Sequence, residues 1–235
     1  MDLLKKKVVP HRNFNNKISQ SMQCATEKFY PDFITPMAAV AGSVADNILN
    51  VLVKDSNLEK AYVNNGGDVS FYLTENQTVK SSLASIPNII AEIDYKDKSR
   101  GIATSGWRGR SFSLGIADSV TVLADNAAMA DAAATMIANS VNIKNHPLII
   151  KRPAEEIYED SDLKNLMVTV EVGDLKQSEI EDALRNGNEV GKTYLENGLI
   201  NSALIELHNC FCIVQKESTN LNFINKSSLK KINYV

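Results

Sequence analysis

Asp131 and Thr135 stand four residues apart in the stretch Ala127–Asn139, AAMADAAATMIAN. At helical spacing their oxygens fall on one face. A carboxylate beside a hydroxyl suits a hard cation such as Mg²⁺, or a phosphate bridged through one. The residues around the pair are almost all alanine, so backbone or ligand can approach closely. The plainer reading stands beside this one. An Ala-rich helix next to a Val-rich strand is ordinary core packing, and an isolated Asp-x-x-x-Thr pair is often a solvated face or a Thr bonded back to its own helix.

Two further segments carry comparable chemistry. Ala61–Phe71 reads AYVNNGGDVSF. An apolar strand runs into Asn64, Asn65, Gly66, Gly67 and Asp68, and a second strand resumes at Val69. As structure this is a hairpin, because Asn and Gly accept positive φ. As chemistry, consecutive glycines bare backbone N–H groups to an anion. Thr35–Leu49, TPMAAVAGSVADNIL, opens an amphipathic helix whose first turn, up to Gly42, is nearly bare backbone, and helix N-termini attract phosphates.

These residues need elements to hold them. Ser99–Thr104 reads as a strand that leaves through Ser105 and Gly106 into a polar loop, Trp107–Gly115. Asp118–Ala124 is a Val- and Thr-rich strand, and Asp125 or Asn126 can cap the following helix. The spacing of Met37, Val40, Val44, Ile48 and Val51 predicts an amphipathic helix over Thr35–Val53. Further helices are expected over Ser19–Tyr30 and, in two short pieces broken near Asn186-Gly187, over Glu179–Asn197. Strands are expected at Asn88–Asp94, Pro147–Arg152 and Leu166–Val172, with an acidic loop or helical turn over Pro153–Asp162. A hairpin closes around His208-Asn209. Mixed strands and helices without strict βαβ alternation argue for an α+β fold in a single compact unit. Residues 1–16 are expected to form a basic arm or short edge strand, 17–216 the domain, and 217–235 a loosely ordered polar tail.

Composition bounds the partners. The chain has 235 residues, 44% hydrophobic and 23% charged, with a formal net charge of −3. That is ordinary globular composition with no global basic field for nucleic acid. No stretch of eighteen apolar residues and no signal-peptide pattern is evident, so no membrane partner is expected and the chain is expected to be cytoplasmic. Three cysteines without a framework argue for reduced thiols. Cys210, Cys212 and His208 fall on one side of a strand and raise a Cys-Cys-His site against the default of small residues in the core. No Walker loop, nucleotide GxGxxG or zinc spacing is present.

Four motifs in order resemble the ApbE superfamily, best known for FAD:protein FMN transferases. They are a Gly-rich helix start ending in Asp (Gly42–Asp46), an Asn-x-Gly-Gly-Asp turn (Asn64–Asp68), a Thr-Ser-Gly strand end (Thr104–Gly106) and an Ala-Asp-Ala-x-Ala-Thr helix (Ala130–Thr135). The match covers roughly residues 35–140. The resemblance implies mixed sheets with packed helices and a cleft for FAD or a related nucleotide. It implies Mg²⁺ on Asp131 and Thr135, with a carbonyl near Val40 or Ala41 as a third protein ligand. Gly42, Asn65, Gly66, Gly67 and Asp68 would hold the nucleotide or order its ribose, and Ser105, Gly106 and Arg110 would line the phosphate side. Arg108 and Arg110 read equally as solvated loop charges, and Trp107 as a lid over the core or a ring stacked on a flavin.

Flavin transferases carry a His-x-x-Asp-Pro-x-Thr-Gly stretch where this chain has Arg110–Asp118, RSFSLGIAD, and a Lys where it has Ala41. The loop looks like that of the short branch of the superfamily. The expectation is therefore a divergent member that is not a genuine FMN transferase. The alternative is an enzyme or assembly factor in sulfur assimilation into homocysteine, acting on a sulfur metabolite without flavin and drawing on a reactive Cys210 or Cys212. Longer family members have more chain before the helix start, where this sequence has about 34 residues. That implies strands absent or supplied by a partner, and a cleft shared in a homodimer.

Overall fold

The computed structural model describes residues 2–82, 89–216, 224–225 and 230–234. In chain order, helix α1 (Lys17–Thr26) leads through two short 3-10 turns into α2 (Val40–Val53). Strands β1 (Lys60–Asn65) and β2 (Asp68–Leu73) form the Gly66-Gly67 hairpin, followed by β3 (Thr78–Ser82), β4 (Ile89–Asp94), β5 (Gly101–Ser105) and β6 (Ser119–Ala124). Helix α3 (Ala127–Ser140) precedes β7 (Ile149–Pro153), the one-turn α4 (Ala154–Ile157) and β8 (Met167–Val172). Helix α5 (Gln177–Glu196) precedes the hairpin of β9 (Ser202–Leu207) and β10 (Cys210–Gln215), then β11 (Ile224–Asn225) and β12 (Lys230–Lys231).

Seven strands form the main sheet in the order β1-β2-β5-β6-β9-β10-β12, antiparallel except for the last pair. Its two faces are both covered, which explains why β6 and β9 are buried at every residue. Val120, Val122, Ala203 and Ile205 point to the helices α3 and α5. Leu123, Leu204, Phe71 and Phe211 point the other way, against Ala91 and Ile93 of the small sheet β11-β4-β3. Period-two alternation thus feeds two hydrophobic layers. The fold is α+β, as its mixed pattern predicted.

Several expectations change. α5 is one continuous helix of 20 residues, without a break at Asn186-Gly187. Its glycines serve packing: a Cβ on Gly187 would lie 2.5 Å from Val141 Cγ2, and one on Gly191 3.0 Å from Val214 Cγ2. The apolar stripe of α2 is not its core face. Ile48 is 49% and Val51 76% exposed, whereas Gly42, Ser43, Ala45 and Leu49 are buried. Small residues turn inward because α3 and β2 come close. Pro36–Val53 is eighteen residues long and apolar enough to pass for a membrane-spanning stretch by length and composition, although Ser43, Asp46, Asn47 and Asn50 interrupt it. Here, however, it carries Asp46 into the interior of the fold, where that side chain binds the start of α3. The N-terminal segment is anchored by Val8, which is fully buried and donates its N–H to the Ile34 carbonyl at 2.8 Å. In the tail, residues 217–223 and 226–229 lie outside the described residues, as does Asn88 of the expected Asn88–Asp94 strand. The described part of the tail returns to the body, where β12 pairs with β10 and Tyr234 Oη donates to the Glu181 carbonyl at 2.5 Å.

Gly187→Ala tests the packing role. In an exposed helix, Ala gains about 1 kcal/mol over Gly. Here the overlap with the stiff Val141 side chain costs about 1–3 kcal/mol, so urea denaturation should find the variant less stable than wild type.

Candidate functional site

Two helices exchange carboxylates where α2 crosses the start of α3. Asp46 on α2 accepts the N–H groups of Ala127 at 3.0 Å and Ala128 at 2.9 Å, and also the Ser70 hydroxyl at 2.6 Å. Asn126 completes the α3 cap by accepting the N–H of Met129 at 2.8 Å, while Asp125 instead accepts from Asn201. In return, Asp131 on α3 accepts the N–H of Gly42 at 3.1 Å, with Ala41 N–H contributing. Each carboxylate meets orphan donors at the positive end of the other helix. Only a glycine fits at position 42, since a Cβ there would lie 2.2 Å from the Ala127 carbonyl oxygen. The α2 N-terminus, expected to attract a phosphate, is therefore already occupied by a side chain of the protein.

The hairpin brings Asp68 to the same place. Its backbone pairs with Asn65, and its Oδ1 accepts the Thr104 N–H at 3.3 Å. The Asp68 and Asp131 carboxyls lie close enough to influence each other's titration. Burial pushes Asp68 up to about 6, against the pull of the Thr104 N–H and the Arg110 charge. Burial and then the Asp68 charge push Asp131 well above the carboxylate range. Two acids that cannot both ionise cheaply share a proton.

The remaining residues frame this pair. Asn65 Nδ2 donates to the Ala41 carbonyl at 3.1 Å. Gly67 donates its N–H to Asn64 Oδ1 at 2.8 Å, so that donor serves the turn. Arg110 donates to the Gly66 carbonyl and crosses directly over Gly66, whose φ of 70° and lack of a Cβ make room for it. Thr135 lies half-buried one turn beyond Asp131. Asp68, Asp131, Asn65, Gly42 and Arg110 are thus brought together by α2, α3, the hairpin and the loop after β5, with Thr135 one turn along α3. Ser105 and Gly106 fall instead on a neighbouring cleft with Arg108. Trp107 Nε1 donates to Asp118 at 3.1 Å and Arg108 stacks 4.6 Å over the indole. Trp107 is thereby a cover held by its own loop.

The carboxylate pair is not legible in the sequence, where Asp68 reads as a nucleotide contact and Asp131 as a metal ligand on separate motifs. Asp46 was missed as a cap. Cys210 and Cys212 are buried in the core. Burial pushes the Cys212 thiol up to about 12, the opposite of an activated nucleophile. Among the described residues no group of three His, Cys, Asp or Glu side chains stands together to hold a metal, so the Cys-Cys-His arrangement does not form.

With this geometry in view, the chain belongs to the family described as AbpE bacteria, whose model matches residues 1–218. It is similar to a UPF0280 protein of Methanococcoides burtonii, 40% identical over 114 residues, 47% of each chain. A UPF0280 protein of Methanocaldococcus jannaschii is 31% identical over 144 residues, covering 58% of this chain and 57% of that one. One of Methanobrevibacter smithii is 34% identical over 134 residues, 54% and 56% of the two chains. The chain spans about half the length of the curated relatives it matches.

The shared proton has a measurable consequence. A carboxyl raised from 3.8 to about 6 on folding contributes stability that is full below pH 3.8 and is lost as pH rises through 6. Metal-free protein should therefore gain stability, relative to Asp68→Asn, as pH falls from 7 to 5. The difference in unfolding free energy should be on the order of 1–3 kcal/mol, read from denaturation of both proteins across that range.

Proposed function

We propose that the protein binds a nucleotide through Mg²⁺ at the junction of α2, α3 and the β1–β2 hairpin, as a divergent relative of the ApbE flavin transferases. The supporting observation is the buried contact of Asp68 with Asp131. Neither carboxylate has a basic side chain bonded to it, since the nearby Arg110 donates to the Gly66 carbonyl instead. A divalent cation offsets the charge of both acids, and an all-oxygen donor set favours Mg²⁺ over softer metals.

In this reading Asp131 and Asp68 hold the ion, with the Thr135 hydroxyl on the same helix face. Asn65 orients the Ala41 carbonyl, which has a second lone pair to offer. The ion neutralises phosphate charge when bound. Arg110, on the rim of the hairpin, adds a planar cation suited to a phosphate oxygen. FAD or a related nucleotide is the ligand class implied by the four motifs. The loop Arg110–Asp118 lacks the transferases' His-x-x-Asp-Pro-x-Thr-Gly stretch, so the reading stops at binding and does not extend to FMN transfer.

Titrating the protein into FAD should quench flavin fluorescence saturably in Mg²⁺, and a chelator should reverse it. Asp131→Asn keeps an acceptor for the Gly42 N–H but loses the charge, and should weaken binding at least about tenfold. Quenching that ignores Mg²⁺, or none at high protein concentration, would overturn the proposal.

A further inference from the structure

Beside the carboxylate pair lies a second concavity of about 790 Å³. It opens at the ends of β5, β6 and β9 and reaches Thr104, but none of Asp68, Asp131 or Thr135 lines it. Its charges divide into a closed set and an open one. Asp118 is fully committed: Oδ1 accepts from Trp107 Nε1 at 3.1 Å and Arg108 Nε at 2.6 Å, and Oδ2 accepts the His208 N–H at 2.7 Å. Arg108 is spent on that ion pair, its side chain is 58% exposed, and its charge reaches Glu206 only as the smallest of the influences on that carboxyl.

Glu206 belongs to the open set. It stands opposite Ser119 in the β6–β9 register and is 8% exposed. Its Oε2 accepts the Ser119 hydroxyl at 2.8 Å. Its Oε1 meets no donor among the described residues and is left to the cleft. Burial, and then the Asp118 charge, raise its affinity for a proton. His208, whose buried Nε2 has no partner among the described residues, also lines this cleft, and Asp174 adds a further carboxylate to the wall. A buried carboxylate without a cation calls for one from outside. Val172 and Ile180 are the aliphatic side chains that line the same cleft.

We propose that this cleft binds a small primary alkylammonium, with the cationic nitrogen on Glu206 Oε1 and the chain against Val172 and Ile180. An ammonium supplies both the missing charge and up to three N–H donors. A neutral alcohol supplies only a hydroxyl, and a carboxylate meets repulsion from Glu206 and Asp174. The inference is independent of the proposed Mg²⁺ site.

Trp107, the single tryptophan of the chain, bonds to Asp118 at the cleft wall, so its fluorescence reads occupancy. The probes are n-butylammonium chloride, sodium n-butyrate and n-butanol at constant ionic strength. The expected result is a saturable change with n-butylammonium that is at least tenfold weaker in Glu206→Gln and unchanged in Asp131→Asn. Glu206→Gln keeps an acceptor for Ser119, and circular dichroism checks that it folds. Should it not fold, the wild-type comparison decides: n-butanol binding as tightly as n-butylammonium would show an apolar pocket and overturn the proposal. No saturable change, an equal affinity in folded Glu206→Gln, or preference for n-butyrate would overturn it as well.

Discussion

Everything near the candidate site depends on the reciprocal capping of α2 and α3. Asp46 closes the N-terminus of α3, and Asp131 closes that of α2. Each interaction satisfies backbone donors that would otherwise be orphaned in the interior, a contribution of about 0.5–2 kcal/mol apiece. The exchange requires the helices to touch at backbone distance. That explains glycine at position 42, and also at Gly101 of β5, where a Cβ would lie 2.1 Å from the Ala127 nitrogen. It also explains why α3 is built from alanine. Bulk on either helix would separate the carboxylates from the N–H groups they serve.

This close approach has an electrostatic consequence. Asp131 is fixed by the N–H groups of α2, so it cannot swing away from Asp68, which the hairpin and the Thr104 N–H fix from the other side. Two acids are held in contact by backbone constraints that neither can escape. Burial raises both carboxyls above their ordinary range, so the pair takes up a proton more readily than a free carboxylate does. The neighbouring cleft follows the opposite arrangement for Asp118, where Trp107, Arg108 and the His208 N–H satisfy the carboxylate completely.

The sequence made some of this legible. The Asn-Asn-Gly-Gly-Asp hairpin, the strand Ser119–Ala124 and the Asp131–Thr135 spacing are local patterns, and local patterns survive into the fold. The meeting of Asp68 with Asp131 is not local, because it depends on how β2, β5 and α3 stack. α5 reads as two pieces because Gly187 lowers intrinsic helix propensity, yet packing against Val141 and Ile205 demands a glycine there. The stripe on α2 misled for a related reason: its large residues Ile48 and Val51 face outward so that Gly42 and Ala45 can face inward. Glu206 did carry a signal in the sequence, as the single charge in the apolar strand SALIEL, but its partner Ser119 is revealed only by the β6–β9 register.

The central claim is that a proton held between Asp68 and Asp131 marks a divalent-cation site. Calorimetric titration of Mg²⁺ at pH 6, in two buffers of different ionisation enthalpy, counts the protons displaced. Release of on the order of one proton per ion bound, absent in Asp68→Asn, is the predicted result. Mg²⁺ binding without proton release, or no binding at all, would contradict it.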